Sequence, residues 1–298
     1  MKKINYIELG ATLFIPANHK DLEVVASGIK YPDLKSVVID LEDAVSKDNF
    51  KYALKKLKRF LKNLDSKKTL IFIRPKDTTT LKDILEFKYI YKIDGFVLPK
   101  FSLQNASTYL ELLKDKDFYF MPSIEGSELF DTTKLIKLKD ILLPYKNKII
   151  LVRFGLEDML KQLSMKRDSK KSIFDITVTA SVLGQFLAVF KGAGFGVSGG
   201  VYPYFQDIKG FIKDAKRDLQ EGLFSKTIIH PNQIKPLNEL YKVTKQEFED
   251  ALEIVNNSDM IFNQNGKMAE TTTMTPYSQE IILRAFIYGY NSKKSQKI

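Results

Sequence analysis

Short apolar runs alternate with longer amphipathic ones from residue 11 to about residue 245, and few folds accept that rhythm. The runs Ala11–Ile15, Ser36–Asp40, Thr69–Arg74, Gly95–Leu98, Phe118–Ser123, Lys148–Phe154, Gly194–Val197 and Thr227–Ile229 read as strands bounded by polar, Gly or Pro residues. Between them, Asp21–Ser27, Lys47–Leu64, Leu81–Tyr91, Leu103–Lys114, Glu128–Leu142, Phe174–Phe190, Ile208–Glu221 and Ile234–Tyr241 carry apolar residues at helical spacing. Parallel strands need such crossovers. Val37-Val38-Ile39 and Ile149-Ile150-Leu151-Val152 are apolar on both faces, as in a sheet that helices cover. Eight alternations predict an α/β chain folded as a (β/α)8 TIM barrel, with a C-terminal helical extension. We place the barrel at 1–243 and the extension at 244–298, packed on or between barrels. The extension reads as helix Lys245–Asn256, polar loop Asn263–Thr275 and helix Gln279–Gly289.

An open dinucleotide-binding sheet is excluded, because its first strand should lead into G-x-G-x-x-G and here leads into Pro16-Ala17-Asn18. Gly192-Ala193-Gly194-Phe195-Gly196 is a later glycine-rich run that enters a strand, and it leaves a phosphate loop as a minor alternative. The absence of cysteine removes disulfides, thiolate metal sites and cysteine nucleophiles, and two histidines, His19 and His230, are too few for a His-rich zinc site. No apolar run reaches the ~18 residues of a membrane span and no apolar signal core precedes Glu8, so a cytoplasmic protein is expected. The net charge of +11 is carried almost wholly by lysines on helical stretches such as Lys51 to Lys62, with only six arginines. That is the pattern of solvated helix faces, and nucleic acid is not expected as a partner.

In a barrel of this kind the chemistry sits where strands end and βα loops begin. Those positions hold Asp40, Glu42 and Asp43, then Arg74, Lys100, Glu125, Arg153, Glu157, Asp158 and His230. Acidic groups ringed by a few cations suit a hard divalent ion and an anionic substrate. Each residue also has a structural reading. Glu125 or Asp158 could serve a helix start, Arg74 could be an ion pair with Asp40 or Glu42, and His230 before Pro231 suits a turn. Lys100 is the only lysine placed for a Schiff base, the alternative route to the same bond cleavage.

Leu13-Phe14-Ile15-Pro16, Ile39-Asp40-Leu41-Glu42-Asp43-Ala44-Val45, Ile73-Arg74, Asp94 to Lys100, Ile124-Glu125, Phe154 to Asp158 and Ile229-His230-Pro231-Asn232-Gln233-Ile234 succeed one another in this chain. In that order they resemble the HpcH/HpaI aldolase and citrate lyase superfamily, on its citrate lyase β-subunit side. The resemblance implies a Mg2+-dependent carbon–carbon lyase or aldolase acting on a carboxylated hydroxy- or keto-acid. It places Glu125 and Asp158 as metal ligands and Arg74 as the substrate-binding arginine, with Lys100 and Gly155 beside the substrate. Asp40 and Glu42 would support the reacting centre, and Arg153, where the family commonly has an apolar residue, would add a cation. A homo-oligomer, trimer or hexamer, is expected, with Glu270 as the carboxylate offered to a neighbouring subunit. Gly10-Ala11 and Gly199-Gly200-Val201-Tyr202 depart from the family's Arg-Ser and Asp-Gly-Val-Tyr. A divergent branch that prefers free acids is therefore expected. A thioester lyase of the malyl- or citramalyl-coenzyme A type, using coenzyme A or an acyl carrier, and a non-catalytic barrel subunit remain the alternatives.

Overall fold

The computed structural model describes residues 3–291. Its strands are β1 (Thr12–Pro16), β2 (Ser36–Asp40), β3 (Leu70–Arg74), β4 (Gly95–Leu98), β5 (Tyr119–Ile124), β6 (Arg153–Phe154) and β7 (Thr227–Ile228). They form one parallel sheet in the order β6-β5-β4-β3-β2-β1-β7. β2 and β4 have the bounds read from the sequence. The long run from Lys148 is instead only a two-residue strand, preceded by an isolated bridge from Ile149 to Phe120.

The expected strand at Gly194–Val197 survives only as bridges, Val152 with Val197 and Ser198 with Phe224. Its backbone nevertheless spans the gap: Val152 N–H donates to Gly196, Phe224 N–H to Val197 and Thr227 N–H to Gly199. The ring of strands closes through this segment. The glycine-rich run before it serves turning and packing. Gly194 adopts φ 77°, and a Cβ on Gly196 would stand 2.7 Å from the Tyr6 ring.

The crossover helices of this unit are α1 (Leu22–Ala26), α2 (Phe50–Asn63), α3 (Thr78–Leu85), α4 (Ala106–Leu113), α5 (Thr132–Leu142), α6 (Leu156–Gln162), α7 (Thr177–Gly192) and α8 (Ile208–Gln220). α2 shows why they dock: Ala53, Leu57, Phe60 and Leu61 recur on one face and are buried, while most of its lysines face out. Inside the sheet Leu9, Val38, Phe72, Val97, Tyr119, Met121, Ile150 and Leu151 pack as one cluster. Burial of each large apolar side chain contributes roughly 1.5–3 kcal/mol before chain entropy is set against it.

The chain divides into two compact units, one running to Ile234 and the other from Lys235. The division falls nine residues before the one drawn from sequence, so α9 (Ile234–Tyr241) goes with the extension. The end of α9 is tied to the last helix of the chain's second unit: Tyr241 meets Tyr288 with ring centroids 5.4 Å apart, and Val243 bridges Tyr290. α10 (Lys245–Asn256) has the expected bounds and packs Ala251 with Ile281 and Ala285 of α11 (Thr271–Tyr288).

The expected polar loop Asn263–Thr275 is instead an antiparallel hairpin, β8 (Ile261–Gln264) and β9 (Lys267–Glu270), leading directly into α11. Asn265 and Gly266, at φ 51° and 79°, supply the two left-handed positions of a tight turn. Pro276 lies inside α11, which is why periodicity alone starts that helix after it.

Candidate active site

The strand ends of the first unit open into a cavity of about 450 Å³, whose lining includes Asp40, Arg74, Glu125, Arg153, Gly155 and Asp158. Asp43 and Glu157 share the lining, with Phe14, Ser123, Ser198 and Thr227 contributing its neutral walls. Eight of the residues singled out from the sequence thus meet in one place. Sequence reasoning missed Ser123, Ser198 and Thr227, because hydroxyl residues near strand ends are too common to stand out.

Arg74 ends β3 beside Asp40, which ends β2, because the two are register partners. Its Nε and Nη2 donate to the two oxygens of Asp40 at 2.7 Å each, and Nη1 stands 3.0 Å from Glu42 Oε2. Asp43 adds a contact at 3.4 Å. Asp40 also accepts from the N–H groups of Glu42 and Ala44, so both oxygens are engaged and its work is to orient the arginine and shape the loop. The guanidinium lies 5.2 Å from the Phe14 ring centroid. Arg74 is therefore positioned and heavily neutralised, and its bidentate edge is committed to Asp40.

Lys100 is engaged in the same way. Its Nζ is 2.6 Å from Glu42 Oε1, and Glu42's hydrogen bond raises its pKa. A Schiff-base lysine needs the opposite shift, so this geometry disfavours that route. Burial raises the pKa of Glu42, with the cations Arg74 and Lys100 acting against it. The backbone of Lys100 does more than its side chain. At φ 46° it holds a left-handed conformation rare for lysine, and its N–H donates to Glu125 Oε1.

Glu125 directly follows β5, buried, and burial pushes its carboxyl up to about 8, with Glu42 and Asp158 adding repulsion. Gly155 comes directly after β6 and packs against it so closely that a Cβ there would fall 2.1 Å from Glu125 Cβ. This glycine, expected beside the substrate, lines the cavity and makes room for Glu125. Asp158 sits in the first turn of α6. Gln162 Nε2 ties the two segments together by donating to the carbonyls of Glu125 and Asp158. A buried carboxylate repelled by a second one is a donor pair that a cation would relieve. Among the described residues no group of three or more His, Asp or Glu is arranged to hold a metal by itself. Two carboxylates suit Mg2+, which keeps positions for water and substrate oxygens.

Arg153 is 4% exposed and in contact with strands across the barrel: Nη1 donates to Thr227 Oγ1 at 3.0 Å, Nη2 stands 3.8 Å from Met121 Sδ, and the guanidinium lies 5.2 Å from the Phe14 ring. Burial and the neighbouring Arg74 lower its pKa to about 9. His230 serves the turn. Its Nδ1 accepts from Asn232 N–H, its ring stacks on Phe205 at 4.6 Å, and Gln233 receives the N–H groups of Ile229 and His230. His19 accepts locally from Asp21 N–H. Glu270, at the end of β9, belongs to the second unit.

A parallel barrel with carboxylates and arginines gathered at the carboxyl ends of its strands is an enzyme architecture. The chain belongs to the C-C bond lyase family of the TIM-barrel fold, whose model matches residues 3–290. It is 24% identical to citrate lyase subunit beta of Leuconostoc mesenteroides over 283 residues, covering 87% of each chain. It is also 24% identical to a (3S)-malyl-CoA thioesterase of Cereibacter sphaeroides over 241 residues, covering 80% of this chain and 79% of that one. Among solved structures, Mycobacterium tuberculosis CitE in complex with magnesium, acetoacetate and coenzyme A superposes with a TM-score of 0.69 at 19% identity, covering 94% of this chain and 99% of that chain. No helix among the described residues is long and apolar enough to cross a membrane.

Proposed function

We propose that this protein is a Mg2+-dependent carbon–carbon lyase or aldolase acting in the cytoplasm on a small carboxylated hydroxy- or keto-acid. The carrying observation is the pair Glu125 and Asp158 on a cavity that also holds two arginines. Glu125 and Asp158 would hold the metal, which when bound supplies Lewis-acid polarisation of the substrate's carboxylate and adjacent oxygen. The Lys100 N–H and the Gly155 backbone fix where the Glu125 carboxylate stands. Arg74, clamped and largely neutralised by Asp40 and Glu42, would turn only its remaining positive charge toward the charge that develops as the bond breaks. The relative named for citrate lyase supports this reaction class, and a solved neighbour bound to magnesium, acetoacetate and coenzyme A supports the metal and the carboxylate.

A free acid suits the site better than a coenzyme A thioester. Gly10 takes a positive φ of 55° and Ala11 is fully buried, so neither supplies the cation or hydroxyl that the family's Arg-Ser would offer. In the same reading the assembly is a homo-oligomer, trimer or hexamer, with Glu270 turned to a neighbouring copy's site. The test is a thermal-shift screen of keto and hydroxy acids, coenzyme A and acetyl-coenzyme A, each with and without Mg2+. Stabilisation by a keto acid that requires Mg2+ is expected, since a selective ligand stabilises by mass action. Salt-resistant stabilisation by acetyl-coenzyme A alone would move the chain to the thioester lyases. No response to any acid would leave a non-catalytic barrel.

A further inference from the structure

Two arginines line the cavity, and their surroundings differ in kind. Arg74 faces Asp40, Glu42 and Asp43. Arg153, more deeply buried, has a hydroxyl, a thioether and an aromatic ring for company, and its Nε makes no hydrogen bond. Among the described residues no carboxylate is paired with it. A guanidinium is a five-donor fork that stays charged, and burying one without an anion is among the costliest arrangements a fold can contain. Nothing in the barrel needs that charge for packing, because an unbranched apolar side chain would fill the same space between Phe14, Met121 and Thr227. Arg153 lines the cavity that Glu125 and Asp158 also line, so the missing partner can enter from there.

We propose that Arg153 is the specificity-determining receptor for a second anionic group, a carboxylate remote from the one at the metal, and that the substrate is a compact dianion. The assignment rests on the reading of the site as a metal-dependent lyase only for where the first carboxylate goes. The second carboxylate would accept from the Arg153 fork, with Thr227 Oγ1 holding the guanidinium in plane. Ser123 and Ser198 line the same cavity and offer hydroxyls to a short polar chain between the two anions. Arg74 is poorly suited to this role, since Asp40 already occupies its bidentate edge.

The experiment compares the parent with Arg153→Met and Arg153→Lys, each probed by calorimetry with malonate without metal, and with oxaloacetate and pyruvate in Mg2+. In the parent, malonate and oxaloacetate should bind. Arg153→Met should weaken both by roughly 10-fold or more, while pyruvate, with one carboxylate for the metal, changes less than about threefold. Arg153→Lys should fall between, keeping the charge and losing the fork. The ligand-free melting temperature of Arg153→Met should stay level or rise, because an unpaired buried charge has been removed. An unchanged ratio of oxaloacetate to pyruvate affinity in Arg153→Met, or malonate binding equal to the parent's, overturns the assignment. If Mg2+ alters neither acid while malonate still separates parent from variant, the metal-dependent reading fails and the anion receptor stands.

Discussion

Adjacent residues at the start of β7 face two buried charge sites that were built on opposite terms. Lys226, 1% exposed, is held by Asp214 at 2.8 Å and Asp218 at 2.5 Å, both on α8, and by the Gly200 carbonyl at 2.7 Å. Arg167 closes the group on Asp214. Two cations meet two carboxylates, and the set balances. Thr227, the next residue, lines the cavity and meets Arg153, whose charge is matched by no carboxylate among the described residues. Strand alternation sends the two side chains to opposite faces, so one strand carries a closed network outside and an open one inside. A balanced buried cluster holds structure together, and an unbalanced one beside a cavity is set for something that arrives.

Removing Lys226 is the sharpest way to break this contrast. Lys226→Met should lower stability by about 3–5 kcal/mol in chemical denaturation, because it strands the buried Asp218 carboxylate and leaves Asp214 with Arg167 alone. Burial already pushes Asp218 up to about 6, with Lys226 acting against it. The equivalent change at Arg153 should destabilise nothing. Equal losses at the two positions would erase the distinction between them.

At the metal pair, Glu125→Gln and Asp158→Asn should each lower Mg2+ affinity by about 100-fold by calorimetry, with circular dichroism unchanged, since each removes one of two ligands. Gly155→Ala should cost roughly 1–3 kcal/mol and weaken Mg2+ binding with it, because the new methyl collides with Glu125. A fully stable Gly155→Ala that binds metal normally would show that the approach of β6 to Glu125 is not needed.

The remaining effect is a pH dependence. With the Glu125 carboxyl raised from 4.5 to about 8, the folded state favours its protonated form. Its contribution to metal-free stability is therefore full below pH 4.5 and is lost as pH rises through 8. Melting temperature measured without metal should fall across that window in the parent, and less so in Glu125→Gln. Parallel profiles would place the perturbed group elsewhere.

Much of this site is legible in the sequence because β/α alternation assigns strand ends, and strand ends converge. Asp40, Arg74, Glu125, Arg153, Gly155 and Asp158 can be named for that reason. Their division of labour cannot. Asp40 reads as support for the reacting centre, and only the fold shows what that support is: its oxygens are taken by Arg74 and by two backbone N–H groups. Gly155 reads as a substrate neighbour, and its tightest constraint is a clearance visible only when β6 lies beside Glu125. The departure at Gly199 also has its reason in three dimensions. A Cβ there would stand 2.3 Å from Asp218 Oδ2, so the glycine admits a carboxylate arriving from α8. The hairpin at 261–270 is within reach of sequence, since Asn265-Gly266 is a strong turn signal. Its polar neighbours hide it by resembling a loop.

The sequence by itself determined the fold class, the crossover helices and the set of charged side chains delivered to one rim, because those arise from local periodicity and from the direction of parallel strands. The tertiary structure alone decided which charges cancel. Pairing depends on distances of a few ångströms between residues 25 to 74 positions apart, as between Lys100 and Glu125 or Arg153 and Thr227. No local pattern encodes that spacing, so only the closed barrel shows Arg74 already engaged and Arg153 with no carboxylate partner among the described residues.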